Sequence, residues 1–200
     1  MDLGLASGNA GKLAELRELL GDSGLTLHAQ SDFGVGDAEE TGATFIENAL
    51  LKARHAARQT GRAALGDDSG LCVEALGGAP GLYSARYGGV HGDADRNIAR
   101  LLDAMRGIPE ARRGASFYCV LVLLRAADDP QPLIAEGEWR GTILDAPRGR
   151  RGFGYDPVFF DPENACSAAE LEPAVKHRIS HRGRALAALR QRLHGFAGAA

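Results

Sequence analysis

The chain has 200 residues, of which 44% are hydrophobic, and a formal net charge of −3 at pH 7. This length and composition are typical of one globular domain with a core of its own. A nucleic-acid-binding domain usually carries a marked basic excess, and the small acidic excess here argues against that class. We therefore expect the partner to be a small molecule and not a nucleic acid.

The N-terminus and the cysteines predict a cytoplasmic protein with no membrane partner. Residues 1–5 contain neither the basic region nor the long apolar region of a signal peptide. The best apolar run, residues 120–124, is far too short to span a membrane. The cysteines Cys72, Cys119 and Cys166 lie far apart in the sequence without metal-ligand spacing, so a reducing compartment fits them.

Hydrophobic periodicity and turn residues predict the elements in chain order. In that order they are a strand over residues 3–6, a helix over 13–20, a strand over 25–29, a helix over 44–59, a strand over 63–65, a helix over 95–105, strands over 117–125, 136–144 and 153–160, and a helix over 180–193. The glycine-rich residues 32–42 and 77–92 predict loops. Because helices and strands mix without strict alternation, we expect an α/β fold with a mixed sheet.

Two adjacent carboxylates, Asp67 and Asp68, lie between glycines after a short apolar run. We interpret this segment as a strand that ends in an acidic turn. Adjacent aspartates repel each other, so such a pair usually binds a divalent cation, carries a proton or is fully solvated. In isolation the segment fits a solvated turn equally well. Glu40, in the loop over residues 32–42, is placed to reach a metal beside Asp68.

A candidate phosphate-binding loop follows the first predicted strand. Its backbone N–H groups, the start of a helix and one lysine all favour an anion. Its residues are Ser7, Gly8, Asn9, Ala10, Gly11 and Lys12. The loop resembles a P-loop but has Ala6 in place of the first glycine and Leu13 in place of the Ser or Thr after the lysine, so any metal must be held by residues elsewhere. The alternative is an ordinary helix N-cap turn, since Ser and Asn are favoured caps.

Two segments carry groups suited to a purine base. Phe153 is bracketed by glycines, so its ring can offer an open face for stacking, although a core phenylalanine at a strand start fits as well. His181 and Arg182 begin the last predicted helix, where cationic residues oppose the helix dipole. Residues placed against a local preference are candidates for function. Both side chains can donate hydrogen bonds to a keto oxygen, and Lys176 lies shortly before them.

Lysine is rare in this chain, with three residues against twenty arginines. Where arginine is the default cation, a lysine can mark a site that requires a compact point charge. On the predicted helix over residues 44–59, Glu47 closes a capping box. Lys52, on the same helix, is interpreted as a solvated or ion-paired cation.

Taken together, six segments resemble the inosine triphosphate pyrophosphatase (RdgB/HAM1-like) family. They occur in the family's order and span nearly the whole chain. The matching segments are residues 7–15, 40–48, 67–71, 80–87, 153–156 and 180–182. The resemblance implies an elongated mixed central sheet with helices on both sides, in one domain over residues 1–200 whose two lobes are separated by a substrate cleft. It also implies a homodimer.

The resemblance further implies a Mg²⁺-dependent enzyme that hydrolyses dITP, ITP and XTP to the nucleoside monophosphate and pyrophosphate. Such an enzyme keeps deaminated purines out of DNA and RNA. In this chain, Asp68 is then the general base and a metal ligand, Glu40 is a second metal ligand, and Ser69 contacts the substrate. Residues 7–12 hold the triphosphate. The residues that surround the base are Phe153, Gly154, Tyr155, Asp156, Lys176, His181 and Arg182.

Three other functions fit parts of the pattern. A P-loop-like kinase or phosphatase would use the glycine-rich loop and the Asp pair, but the missing Ser or Thr after Lys12 argues against it. A Maf-type nucleotide pyrophosphatase has similar chemistry but prefers modified pyrimidines or 7-methylguanine. A nucleotide sensor without catalysis would retain Phe153 and His181 and would have no need of Asp68.

Overall fold

The computed structural model describes residues 2–6, 16–17 and 26–197, and the side chains of residues 3–6, 16–17 and 26–193. Within them we label seven strands: β1 (Asp2–Ala6), β2 (Thr26–Ala29), β3 (Ala64–Val73), β4 (Gly114–Leu124), β5 (Leu133–Ile143), β6 (Phe159–Asp161) and β7 (Cys166–Ser167). The helices with both ends described are α1 (Phe45–Thr60), α2 (Ala94–Ala104), α3 (Pro173–Ile179) and α4 (His181–Ala197). None of the helices in this described part is both long and apolar enough to cross a membrane.

The strands form one mixed sheet in the order β2-β1-β3-β4-β5-β6-β7. Strand β1 runs parallel to β2 and to β3, with Leu3 opposite Leu27 and Leu5 opposite Leu65. Strand β6 is antiparallel to both β5 and β7. The combination of parallel and antiparallel pairs with helices confirms the predicted α/β fold and its mixed sheet.

The chain divides into two compact units, and each has a hydrophobic core of its own. The first unit comprises the described residues up to 68, residues 119–137 and those from 181 onward, and the second comprises residues 69–118 and 138–180. The first core is rich in leucines of β1, β3, β4 and α4. The second is built around the rings of Phe117, Trp139 and Phe159, whose centroids lie 4.6 to 6.2 Å apart. The substrate cleft stays a prediction.

A capping box starts α1, as the sequence predicts. Thr44 precedes the helix in an extended conformation, and its Oγ1 accepts the backbone N–H of Glu47 at 3.2 Å. In return, Glu47 Oε2 accepts the backbone N–H of Thr44 at 2.9 Å. Gly61 ends the helix with a φ of +63°, a conformation that favours glycine. Glu47 is therefore a capping residue.

The predicted acidic turn at Asp67 and Asp68 is wrong, because β3 continues through both residues to Val73. The residue before them, Gly66, must be a glycine because β3 packs so closely against α1 that there is no space for a side chain. A Cβ built on Gly66 would lie 2.8 Å from the backbone nitrogen of Ala53 on α1. Gly66 thus permits a close approach of β3 to α1. In the sequence, a glycine beside two aspartates is instead typical of a turn, which is why the prediction failed.

The structure differs from the predicted elements at three further places. The predicted strand over residues 153–160 shortens to β6, since Asp156–Val158 forms a 3₁₀ helix. The predicted loop over residues 77–92 contains a 3₁₀ helix at Gly81–Arg86. Sequence periodicity does not predict α3 and β7, which have seven and two residues. Of the predicted helix over residues 13–20, only residues 16 and 17 lie in the described part, and they are helical.

The close packing at Gly66 predicts that Gly66→Ala destabilises the protein by about 1–3 kcal/mol, the usual effect of overpacking a core. The measurement is the free energy of unfolding from urea denaturation. Gly36→Ala is the control, because no heavy atom lies within 4 Å of a Cβ built on Gly36. Its free energy of unfolding should stay within about 0.5 kcal/mol of the wild type. Equal stability of the two variants would contradict the described contact between α1 and β3.

Candidate active site

The side chain of Lys52 lies between two carboxylates of the predicted site. Its Nζ is 2.7 Å from Glu40 Oε1 and 2.9 Å from Asp68 Oδ1, and it donates to the backbone carbonyl of Asp67 at 3.0 Å. The side chains of Lys52 and Asp68 are only 12% and 8% exposed, and that of Glu40 is 30% exposed. All of these residues belong to the first unit. The structure thus brings the two predicted metal ligands together around one ammonium group.

The packing of α1 against β3 places two of these groups. Lys52 is on α1, and Asp68 is on β3 two residues after Gly66. At Gly66 the strand and the helix are so close that an added Cβ would collide with the helix backbone. This short separation allows the long side chain of Lys52 to reach the carboxylate of Asp68.

The loop that carries Glu40 is attached to the start of the same helix. Asn48 Oδ1 accepts the backbone N–H of Gly42 at 2.8 Å, and Asn48 is buried. A Cβ built on Gly42 would lie 2.6 Å from Glu47 Cβ, so the loop fits against the helix only with glycine at this position. These contacts hold Glu40 within ion-pair distance of Lys52.

The charges around Lys52 favour its ammonium form. Burial by itself lowers the pKa of Lys52, but the carboxylates of Asp68, Asp67 and Glu40 raise it by more, so the pKa lies above the ordinary 10.5. Three acidic side chains thus surround a single ammonium group. Acidic groups that outnumber their cation favour the binding of a further cation.

Glu40 and Asp68 fit a magnesium ion by their chemistry. Carboxylate oxygens are preferred ligands of Mg²⁺, and the acidic side chains around Lys52 outnumber its one ammonium group. Among residues 26–197 and the two short described stretches before them, no group of three His, Cys, Asp or Glu side chains could hold a metal ion. Mg²⁺ usually needs only one or two protein carboxylates, because water and substrate phosphates supply the other ligands. Two carboxylates are therefore sufficient.

The predicted phosphate loop, residues 7–12, lies outside the described residues, but the strand that leads into it is described. Strand β1 ends at Ala6, which is opposite Gly66 of β3. Because the two strands are parallel, the chain leaves β1 at the level of Asp67 and Asp68. The carboxyl ends of strands in open α/β sheets are the usual position of ligand sites. The strand register therefore favours a site that combines the loop with the acidic pair.

The second unit holds Phe153, Asp156 and Lys176 together. Asp156 Oδ2 accepts the backbone N–H of Phe153 at 2.8 Å and also binds the ammonium of Lys176. That ammonium lies 5.2 Å from the centre of the Phe153 ring, within the range of a cation–π contact. Phe153 is 46% exposed, and an accessible ring is what stacking on a base requires.

Glycines on both sides of Phe153 shape this turn. Gly152 and Gly154 have φ values of +77° and +61°, which favour glycine. A Cβ built on Gly152 would collide with the carboxylate of Asp156 and lie 3.0 Å from Lys176 Nζ. The turn therefore needs glycine at position 152 for space as well as for backbone conformation.

Tyr155 differs from its neighbours in the turn because its side chain is buried. Its hydroxyl donates to the backbone carbonyl of Ser84 at 2.8 Å. Burial, with a smaller contribution from Tyr87, holds the pKa of Tyr155 well above the ordinary 10, so the hydroxyl keeps its proton. The side chain therefore contacts the protein interior, whereas Phe153 is open to a ligand.

His181 and Arg182 begin α4 in the first unit, and both are buried, Arg182 at 2% exposure. Arginine is almost never fully buried in proteins unless its charge is paired. Ser69 follows Asp68 in β3 and is partly exposed. The roles of these three residues toward a nucleotide stay predictions.

Lys52 is the residue of this cluster that the predicted site leaves out. The sequence predicts that it is solvated or ion-paired, and the structure shows the ion pairs. Its position between the two predicted metal ligands depends on contacts that no local pattern reveals. The available signal is its rarity, because it is one of only three lysines in the chain. A compact ammonium fits between two carboxylate oxygens more readily than a planar guanidinium does.

Lys52→Met is expected to destabilise the protein by about 3 kcal/mol at neutral pH without added metal, because it leaves buried carboxylates without their counter-charge. The measurement is urea denaturation. Arg58→Met is the matched control, since it removes one positive charge from an exposed position of the same helix. We expect that control to lose less than about 1 kcal/mol. Equal losses in the two variants would contradict a stabilising role of the cluster.

Comparisons with known proteins agree on one family. Residues 3–192 match the model of the Ham1 family. A dITP/XTP pyrophosphatase of Xanthomonas campestris pv. campestris (strain 8004) is 62% identical over 192 residues, which cover 96% of each chain. Another, from Vibrio vulnificus (strain YJ016), is 56% identical over 182 residues and 91% of each chain.

A solved structure agrees with these sequence matches. The structure of a HAM1 protein from Coxiella burnetii superposes with a TM-score of 0.91 at 49% identity, covering 98% of this chain and 99% of that one. The similarity thus extends over both sequence and fold, and over nearly the full length of each protein. This chain belongs to the Ham1 family.

Proposed function

We propose that this protein hydrolyses deaminated purine nucleoside triphosphates, namely dITP, ITP, dXTP and XTP, to the nucleoside monophosphate and pyrophosphate. The observation that carries the proposal is the cluster of Glu40, Lys52 and Asp68 at the level where β1 ends. The relatives from Xanthomonas campestris and Vibrio vulnificus, which bear the name dITP/XTP pyrophosphatase, support the same substrate class. Such an activity keeps deaminated purines out of DNA and RNA.

The reaction needs a water molecule to attack the α-phosphorus while pyrophosphate leaves. We assign Asp68 as the general base that accepts the proton of this water. Lys52 positions Asp68, since an ammonium 2.9 Å from Oδ1 restrains the carboxylate and favours its ionised form. The bond between the α-phosphorus and the bridging oxygen breaks, and negative charge moves onto the pyrophosphate.

The negative charge of the triphosphate must be neutralised during this step. We assign Lys12 and the backbone N–H groups of residues 7–11 to the phosphates, where they would stabilise the charge on the leaving pyrophosphate. Glu40 and Asp68 are the residues that would hold Mg²⁺. When bound, this ion supplies positive charge next to the phosphate oxygens.

Recognition of the base needs both a stacking surface and hydrogen-bond donors. Phe153 offers its exposed ring to the purine. Stacking alone does not distinguish one base from another, because every base has an aromatic face. We therefore assign His181 and Arg182 as donors to the keto oxygen at C6 of hypoxanthine or xanthine. Adenine carries an amino donor at that position, and a site that leaves a buried polar group unpaired can discriminate by about 10⁴-fold.

The proposed enzyme acts as a homodimer, as the family resemblance implies, and in the cytoplasm, as its cysteines indicate. Cys72, Cys119 and Cys166 are free thiols, which fits a reducing compartment. The partner is a small-molecule nucleotide.

The first test is pyrophosphate release from dITP, XTP, dATP and dGTP, each with and without Mg²⁺. We expect Mg²⁺-dependent release from dITP and XTP and little release from dATP and dGTP. Asp68→Asn should lower kcat for dITP by about 10²-fold or more, because it removes the proton acceptor. Asp128→Asn, the same chemical change at an exposed turn residue, should leave kcat unchanged.

Two outcomes would contradict the proposal. Release of orthophosphate instead of pyrophosphate would indicate the chemistry of a P-loop-like phosphatase. No product from any of the four nucleotides would favour a nucleotide sensor, and Asp68→Asn would then bind nucleotides without any change in turnover.

Arg182→Ala tests the assignment of the donors that select the base. We expect the ratio of kcat/KM for dITP to that for dATP to fall by about tenfold or more, because a charged hydrogen bond to the keto oxygen is lost. This ratio does not depend on the fraction of enzyme that is folded. Arg190→Ala, at an exposed position of the same helix, should keep the wild-type ratio. An unchanged ratio in Arg182→Ala would assign selectivity to other residues.

A further inference from the structure

Two consecutive hydrogen bonds connect the turn over residues 152–156, here called the base turn, with strand β3. Both lie inside the second unit. Tyr155 Oη donates to the backbone carbonyl of Ser84 at 2.8 Å. Ser84 Oγ in turn accepts the backbone N–H of Leu71 at 2.9 Å. Leu71 is two residues after Ser69, the proposed substrate contact of β3. A single serine therefore joins the proposed base side of the site to the strand that carries Ser69.

The segment that carries Ser84 is attached to β3 at several other points. Pro80 pairs with Cys72 in an antiparallel bridge. Val73 donates its backbone N–H to the carbonyl of Ala79 at 3.1 Å. Within the segment, Ser84 Oγ also donates to the carbonyl of Gly81 at 2.6 Å. These contacts fix the position of Ser84 relative to β3. Tyr155, which is hydrogen-bonded to Ser84, is thereby also fixed relative to β3.

Contacts of Asp156 hold the base turn together. Asp156 accepts the backbone N–H of Phe153 at 2.8 Å and binds the ammonium of Lys176. Tyr155 directly precedes Asp156 in the chain, and its side chain is buried. Its hydroxyl is a donor throughout the neutral pH range, since the ordinary pKa of tyrosine is near 10 and burial raises the pKa of Tyr155 further. A displacement of Tyr155 would carry the Phe153 ring with it.

We propose that Tyr155 is a positioning residue that sets the place of the Phe153 ring relative to Ser69, and thereby the selectivity for the purine base. The inference rests on the function proposed above. In a bound nucleotide, the base must contact the Phe153 ring while the sugar and phosphates contact β3. A misplacement of about 1 Å can lower the rate by about 10²-fold. The rate for a nucleotide such as dATP, whose base makes poorer contacts in the site, falls less when the ring is misplaced.

Tyr155→Phe tests the inference because it removes only the hydroxyl. The ratio of kcat/KM for dITP to that for dATP should fall by about five- to tenfold, mostly through a higher KM for dITP, because a displaced ring weakens the contacts of the well-fitting base more than those of adenine. A variant that merely folds less well lowers both values equally and leaves the ratio unchanged. Tyr83→Phe is the control, since it makes the same change at an exposed residue of the Gly81–Arg86 helix. It should keep the wild-type ratio.

Ser84→Ala breaks the second bond of the link, because it removes the oxygen that accepts from Leu71. If the two bonds act as one unit, the double variant Tyr155→Phe/Ser84→Ala should have a ratio close to that of the more affected single variant. Effects that multiply would show independent roles and would overturn the inference. So would a wild-type ratio in Tyr155→Phe.

The failure of this inference differs from the failure of the proposed function. If the wild-type protein releases no pyrophosphate from dITP, the proposed function fails and the inference with it. If the wild-type protein is active and selective while Tyr155→Phe is equally selective, only the positioning role fails.

Discussion

The ammonium of Lys52 between Glu40 and Asp68 is the contact on which the rest of the candidate site depends. Carboxylates with little access to water repel each other, and a cation between them removes that repulsion. The ammonium of Lys52 provides that cation, and the acidic side chains around it outnumber it. The acidic groups can therefore be in place before a ligand arrives, and they remain attractive to a divalent cation and the phosphates that accompany it.

This contact is in turn a product of backbone packing at two glycines. Gly66 lets β3 approach α1, which carries Lys52, and Gly42 lets the loop with Glu40 lie against the start of the same helix. The position of a charged side chain is defined only as precisely as that of the helix, strand or loop that carries it. The residues of the candidate site are thus positioned by glycines, which have no side chain at all.

Local signals explain which parts of this arrangement the sequence predicts. The capping box at Thr44 is a contact among neighbours, so it appears in the sequence as it does in the structure. The Gly-Asp-Asp-Ser-Gly segment has the composition of a turn, and only its packing against α1 makes it a strand. Lys52 has partners far away in the sequence, so its place in the site follows from tertiary structure. Helix α3 and strand β7 are too short to show a period.

The open ring of Phe153 bears on how many kinds of damaged nucleotide one such protein can clear. Stacking stabilises the face of a base and is indifferent to the groups on its edge. If the base stacks on Phe153 as proposed, hypoxanthine and xanthine, which differ at C2, gain similar stabilisation from the exposed ring. Separate deamination events, one on adenine and one on guanine, would then give bases that share both the stacking surface and the keto oxygen at C6, so one enzyme would be able to clear both.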